Sequence, residues 1–245
     1  MSATLKSHTP RSIPPRPTIA SIVADQLRRR IVTAQLLPET QLRVSELALN
    51  FDTAISPVRE ALNRLSSEGL VEVRDMRGFF VASASKNELR EMTRARCLLN
   101  DLALRQSIAS GDCGWEEAVL VAYHRLERVP RRNAANEASE DWDEAHRAFH
   151  RALTAGCGTR FLVDYCDQLF VMAERYRHLA RLSPAASARK RDLEHKKIVR
   201  AVLARQADLA TALLTSHFEA TADLFQAAWN GNAVRRLSPL GSVRT

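Results

Sequence analysis

The chain has 245 residues, 45% of them hydrophobic, with only 8 Gly and 9 Pro and a formal net charge of +8. That is room for two modest domains with a buried core. It argues against a loop-rich fold, and no apolar run approaches the roughly 18 residues that would read as a membrane span. The basic excess favours polyanionic partners, but it is spread along the chain, net +3 over residues 1–84 and +5 over 85–245, so any nucleic-acid reading has to rest on pattern.

The four cysteines, Cys97, Cys113, Cys157 and Cys166, form no C-x-x-C pair and no disulfide framework, which points to a reducing cytoplasm. Residues 1–17 are rich in Pro and Ser and place no apolar stretch behind their charges. They read as a disordered lead-in and not as a secretion signal.

A first helix is predicted over 18–34, capped by Thr18, with Ala20, Val23, Leu27 and Ile31 at helical spacing and an exposed basic run, Arg28 to Arg30. The stretch LLPETQL breaks that pattern, and Ser45 can cap a short second helix through Phe51. For a third helix Ser56 is the expected N-cap and Pro57 the first helical residue, where its missing N–H costs nothing. Val58, Ala61, Leu62 and Leu65 form its apolar stripe, and Gly69 terminates it. Two β-type runs, Leu70–Val73 and Phe79–Ala82, flank the hairpin-turn candidate Asp75-Met76-Arg77-Gly78. Three helices and a hairpin in about 70 residues are the layout of a winged helix-turn-helix.

Everything after Ser85 reads helical, with candidates at 86–109, 115–129, 139–155, 159–181, 188–205 and 207–229, a loop at 130–138 and a flexible tail over 231–245. The fold class is therefore mainly α, with a winged helix-turn-helix over 18–84 and an all-α bundle over 85–230.

A recognition helix enters the major groove through a polar, basic N-terminal end. Ser56, Pro57, Arg59 and Asn63 occupy that end. Arg59 is the candidate for guanine or phosphate, Arg43 for the backbone ahead of the second helix, and Arg77 with Gly78 for contact from the hairpin. In the helical part, Asp143, His146 and His150 share one helix face, and His146 and His150 are an i, i+4 pair able to grip one metal ion. Taken by itself that pair is balanced between metal binding and chance. A lone histidine such as His195 is more often structural. No H-E-x-x-H and no general base beside the pair favours hydrolytic chemistry.

Residues 18–82 resemble the head of GntR-family regulators. The matching residues are Leu42, Leu47-Ala48, Pro57-Val58-Arg59-Glu60-Ala61-Leu62, Leu65, Glu68-Gly69-Leu70-Val71, and Gly78 followed by Val81. Ile55 stands where the family usually has Arg, which implies an altered operator. Residues 86–228 resemble the FCD effector domain of the FadR-like branch, through Phe149-His150 with Leu153, Glu194-His195 with Ile198, and His217 after Ala212.

That resemblance implies a sequence-specific DNA-binding regulator and not an enzyme. It would be a homodimeric repressor that reads a short inverted repeat. It also implies a divalent metal held by His146, His150, His195 and His217. The family has Asp where this chain has His146, so either four neutral imidazoles would favour Zn or Ni over harder ions, with Asp143 as an outer hydrogen-bonding partner, or the substituted site would bind a ligand without metal. Trp142 to His150, Gly156-Cys157-Gly158 and Glu174-Arg175-Tyr176-Arg177 look like the glutarate-responsive, carbon-starvation-induced subgroup. The effector implied is a small carboxylic acid, with Arg96, Arg175 or Arg177, and Tyr176 as its candidate binding residues.

Overall fold

The computed structural model describes residues 17–132, 139–181 and 191–230. The lead-in, the tail after residue 230 and most of the 130–138 loop lie outside the described residues, as do positions 188–190 of the fifth candidate helix.

The head begins with α1 (Ile19–Val32), whose Thr18 cap accepts the Ser21 N–H at 3.1 Å. Then come β1 (Gln41–Leu42), α2 (Val44–Asn50), α3 (Ile55–Ser67), β2 (Val71–Arg74) and β3 (Gly78–Val81). The stripes expected on α1 and α3 meet in one core, in which Leu27, Val58, Leu62 and Leu65 are fully buried. The sheet is antiparallel in the order β1-β3-β2, with Leu42 opposite Phe79 and Val71 opposite Val81.

β1 was not expected. It is two residues long, and its pairing with β3, not its own composition, makes it a strand. Two expected caps also fail. α3 starts one residue before Ser56, with Ala54 as its N-cap, and α2 starts after Arg43 and not after Ser45. Neither end has a side-chain cap. Ile55 and Ser56 are exposed, so water can serve the first-turn N–H groups, and Pro57 still falls within that turn. Gly69, at φ +73, closes α3 as predicted. Its N–H donates to Ser66 and that of Leu70 donates to Leu65 at 3.0 Å, a paired closure that needs a left-handed residue.

The bundle comprises α4 (Lys86–Ser110), α5 (Cys113–Arg128), α6 (Glu140–Thr154), a 3-10 turn (Ala155–Cys157), α7 (Arg160–Arg181), α8 (Arg191–Leu203) and α9 (Ala207–Asn230). Side-chain caps at Ser85, Asp112 and Ser139 set the starts of α4, α5 and α6. The Asp112 cap begins α5 two residues earlier than the apolar pattern predicts. The bundle core is built on Trp142, Phe149, Leu153, Ile198 and Val202. A second cluster, with Leu89, Tyr176, Leu179 and Phe225, packs against Ala34, Leu37 and Ala84 of the head and linker. Head and bundle therefore share an apolar seam along α7.

Candidate DNA interface and metal centre

The buried stripe of α3 leaves Ile55, Arg59 and Asn63 exposed at successive i, i+4 positions, with Ser56 beside them. Most arginines of the head are engaged. Arg28 is half-buried in a two-pronged pair with Glu68, 2.7 Å on each side, and also meets Asp25. Of the basic run of α1, Arg29 and Arg30 are exposed as expected, whereas Arg28 is not, because the carboxylate of Glu68, just past the end of α3, captures it. Arg29 pairs with Glu140 of α6 at 2.8 Å, Arg43 with Glu46 at 2.9 Å and Arg74 with Glu39 at 2.6 Å. Among the described residues, the side chains of Arg59 and Arg77 make no ion pair. They are exposed, one on α3 and the other in the β2–β3 turn. Gly78 has φ +87 and open space around it, so backbone can approach a phosphate there.

In the bundle, α6, α8 and α9 bring together His146, His150, His195 and His217. All four are buried, and one nitrogen from each lies within 4.8 Å of the others. The Nε2 atoms of His146 and His150 are 3.1 Å apart. Two imidazoles bound to one tetrahedral ion at about 2.0–2.1 Å would place their nitrogens about 3.3 Å apart. That pair is thus at chelating distance, with nitrogens of His195 and His217 close by. His217 Nδ1 lies 2.7 Å from Glu194 Oε2. A carboxylate there holds the Nδ1–H tautomer, which puts the acceptor lone pair on Nε2.

Burial, reinforced by the neighbouring histidines, pushes His146 and His150 well below the ordinary value of 6.5. Both rings are therefore neutral, as ligation requires. The consequence for stability follows from linkage. The unfolded chain takes up these protons near pH 6.5 and the folded chain resists them, so stability is complete above that pH and is lost as pH falls below it. The metal-free protein is expected to show a melting temperature that declines steadily from about pH 7 to about pH 5. A flat profile would mean that these imidazoles are not held neutral.

Arg96 of α4 stands beside this cluster. It is buried, and it makes no ion pair or side-chain hydrogen bond among the described residues, while its guanidinium lies 3.8 Å over the Phe218 ring and 5.1 Å over Phe170. Burial lowers its pKa to about 10, against the attraction of Glu174. It therefore remains cationic at neutral pH. With Asn100, His150, Thr154 and Phe170 it lines a cavity of about 10 Å³, roughly the space of one water.

The remaining candidates lie elsewhere. Asp143 does not support the histidine cluster. Its carboxylate turns to α7, 2.6 Å from Arg177 Nη2 and 2.9 Å from His178 Nε2. Arg177 also binds Glu174 at 2.7 Å, so its charge is already compensated. Arg175 donates to the Ala82 carbonyl, and Tyr176 donates to Glu88 Oε2 at 2.6 Å. Both are at the junction with the head. Residue-by-residue reading missed Glu194, Asn100, Phe170 and Phe218, which assist the cluster and Arg96. The only signal was the position of Glu194 beside His195.

A winged-helix head whose unpaired arginines face solvent, carried on a helical bundle with a buried chelating cluster, defines the class of DNA-binding transcriptional regulators with an effector-binding domain. The chain belongs to the GntR family. Residues 19–81 match the model for bacterial regulatory proteins of the gntR family, and residues 91–220 match the FCD domain. It is 34% identical to the HTH-type transcriptional repressor GlaR of Escherichia coli K12 over 84% of this chain and 95% of that one. It is 32% identical to the HTH-type transcriptional regulator BphR of Paraburkholderia xenovorans over 80% of each. Among solved structures, E. coli McbR/YncC shares the fold at a TM-score of 0.72 and 20% identity, over 87% of this chain and 99% of that one. The chain is thus a transcriptional regulator and not an enzyme. Among the described residues no helix is long and apolar enough to cross a membrane.

Proposed function

We propose that this regulator is a homodimeric repressor whose head, residues 18–84, reads a short inverted repeat, and whose bundle, residues 85–230, tunes operator affinity by binding a small carboxylic acid at a divalent-metal site. The metal ligands are His146, His150, His195 and His217. Four imidazoles without a carboxylate favour Zn or Ni. A bound metal would supply a Lewis-acidic position for one carboxylate oxygen. The DNA contacts are Arg59, Ser56 and Asn63 on α3 with Arg77 and Gly78 on the wing, and Arg43 supports them once DNA draws it from Glu46.

The observation that carries the effector reading is Arg96. Cation–π contact contributes roughly 2 kcal/mol when desolvated, whereas burying an uncompensated ion costs several kcal/mol. As a stability device the residue is therefore a net loss. Its placement beside the histidines is accounted for by an anion that enters and pairs with it, and a carboxylate fits the planar fork.

The test is a thermal-shift screen of small carboxylic acids with and without zinc. An acid at 100 times its Kd stabilises the native state by about 2.7 kcal/mol. Arg96→Met is expected to abolish that shift while retaining zinc-induced stabilisation. A full acid-induced shift in Arg96→Met would refute the role of Arg96.

A further inference from the structure

Arg175 and Tyr176, which a carboxylate-binding reading would place at the effector, hold the junction instead, Arg175 at the end of the head and Tyr176 at the start of α4. They sit in the same helical turn as Glu174, whose Oε1 lies 3.7 Å from His146 Nδ1. One turn earlier, Phe170 walls the small cavity beside Arg96 and His150. Phe170, with Glu174 and His178, also lines a cleft of about 340 Å³ between α7, α6 and the head's α1.

The volumes decide how the site must respond. A space for one water cannot admit a carboxylic acid without displacing its walls. Arg96 lies against Phe218 as well as Phe170, but of the two rings Phe170 is the one that also borders the larger cleft, toward the head. α7 thus has room to yield in one direction, and that direction leads to the residues that grip the DNA-binding domain. Arg175 holds Ala82 at the end of the wing, Tyr176 holds Glu88 in the first turn of α4, and Arg29 of α1 spans the cleft to Glu140.

We infer that α7 is the coupling element of this protein: Phe170 and Glu174 read the occupancy of the histidine site, and Arg175 and Tyr176 pass it to the head. Glu174 has a second part in this. Its carboxylate faces the outer side of His146, 3.7 Å from Nδ1, and Arg177 holds it in place. This inference rests on the metal site proposed above, and its test separates the two.

The probe is zinc alone, added to the full-length protein. Zinc affinity is read by competition with a chromophoric chelator, and amide hydrogen exchange is followed over residues 79–84. In the native sequence zinc is expected to change exchange at 79–84 by about tenfold, within the usual range of coupling between sites. Glu174→Gln should weaken zinc measurably, because it removes the carboxylate that faces His146 Nδ1 from 3.7 Å. Tyr176→Phe should bind zinc with unaltered affinity yet lose the response at 79–84, and Glu88→Gln should reproduce it. Circular dichroism verifies that each variant is folded. Zinc binding to the native protein with no change at 79–84, or a full response in Tyr176→Phe, would overturn the coupling and leave the metal site standing. If the native protein does not bind zinc, the metal reading fails and this inference fails with it.

Discussion

Arg59→Ala is expected to remove specific operator binding while leaving the protein folded. Arg59 is exposed on α3, in line with Ile55 and Asn63, and none of the ion pairs of the head uses it. Its removal therefore costs the fold little. A bidentate contact to a base is worth about 1–3 kcal/mol per half-site, and a dimer on an inverted repeat loses it twice. The expected loss is on the order of 100-fold or more in affinity for an inverted repeat selected from random duplexes, with weak nonspecific binding retained through phosphate contacts. Equal affinity for the selected repeat and random duplex in the native protein would instead indicate sequence-independent binding. Retained specific binding by Arg59→Ala would refute its role. Ile55, 51% exposed on the same line, presents methyl groups, so contact with a thymine methyl is the interaction expected of it.

His150→Ala is expected to lower bound metal from one ion per chain to a trace, measured by elemental analysis. His150 contributes the nitrogen nearest to that of His146, 3.1 Å away, and its other ring nitrogen, Nδ1, is buried without a hydrogen bond. Losing an outer partner already costs metal affinity about 10–100-fold, so losing a ligand should cost more. Zinc should then raise the melting temperature of the native protein and leave that of the variant unmoved. Unchanged metal content would refute the four-histidine assignment.

Much of this molecule is determined by local sequence. The 3.6-residue spacing of Val23, Leu27 and Ile31, and of Val58, Leu62 and Leu65, dictates both the helices and the faces they bury. Thr18 and Gly69 mark ends because capping is chemistry within four residues. Even the face of α6 that carries His146 and His150 is legible, since an i, i+4 pair shares a side by helical geometry alone.

Tertiary structure decided whatever depends on a partner distant in the chain. β1 exists because β3 pairs with it. Arg28 lost its exposure to Glu68, forty residues away, and Asp143, with the right spacing for the histidines, was drawn instead to Arg177 and His178. The convergence of His195 and His217 on α6 depends on how three helices pack, which no spacing encodes. Arg96 reads in the sequence as one arginine among many. What distinguishes it is that folding took its charge out of water and placed two aromatic rings against it, with no carboxylate of the described residues in an ion pair with it.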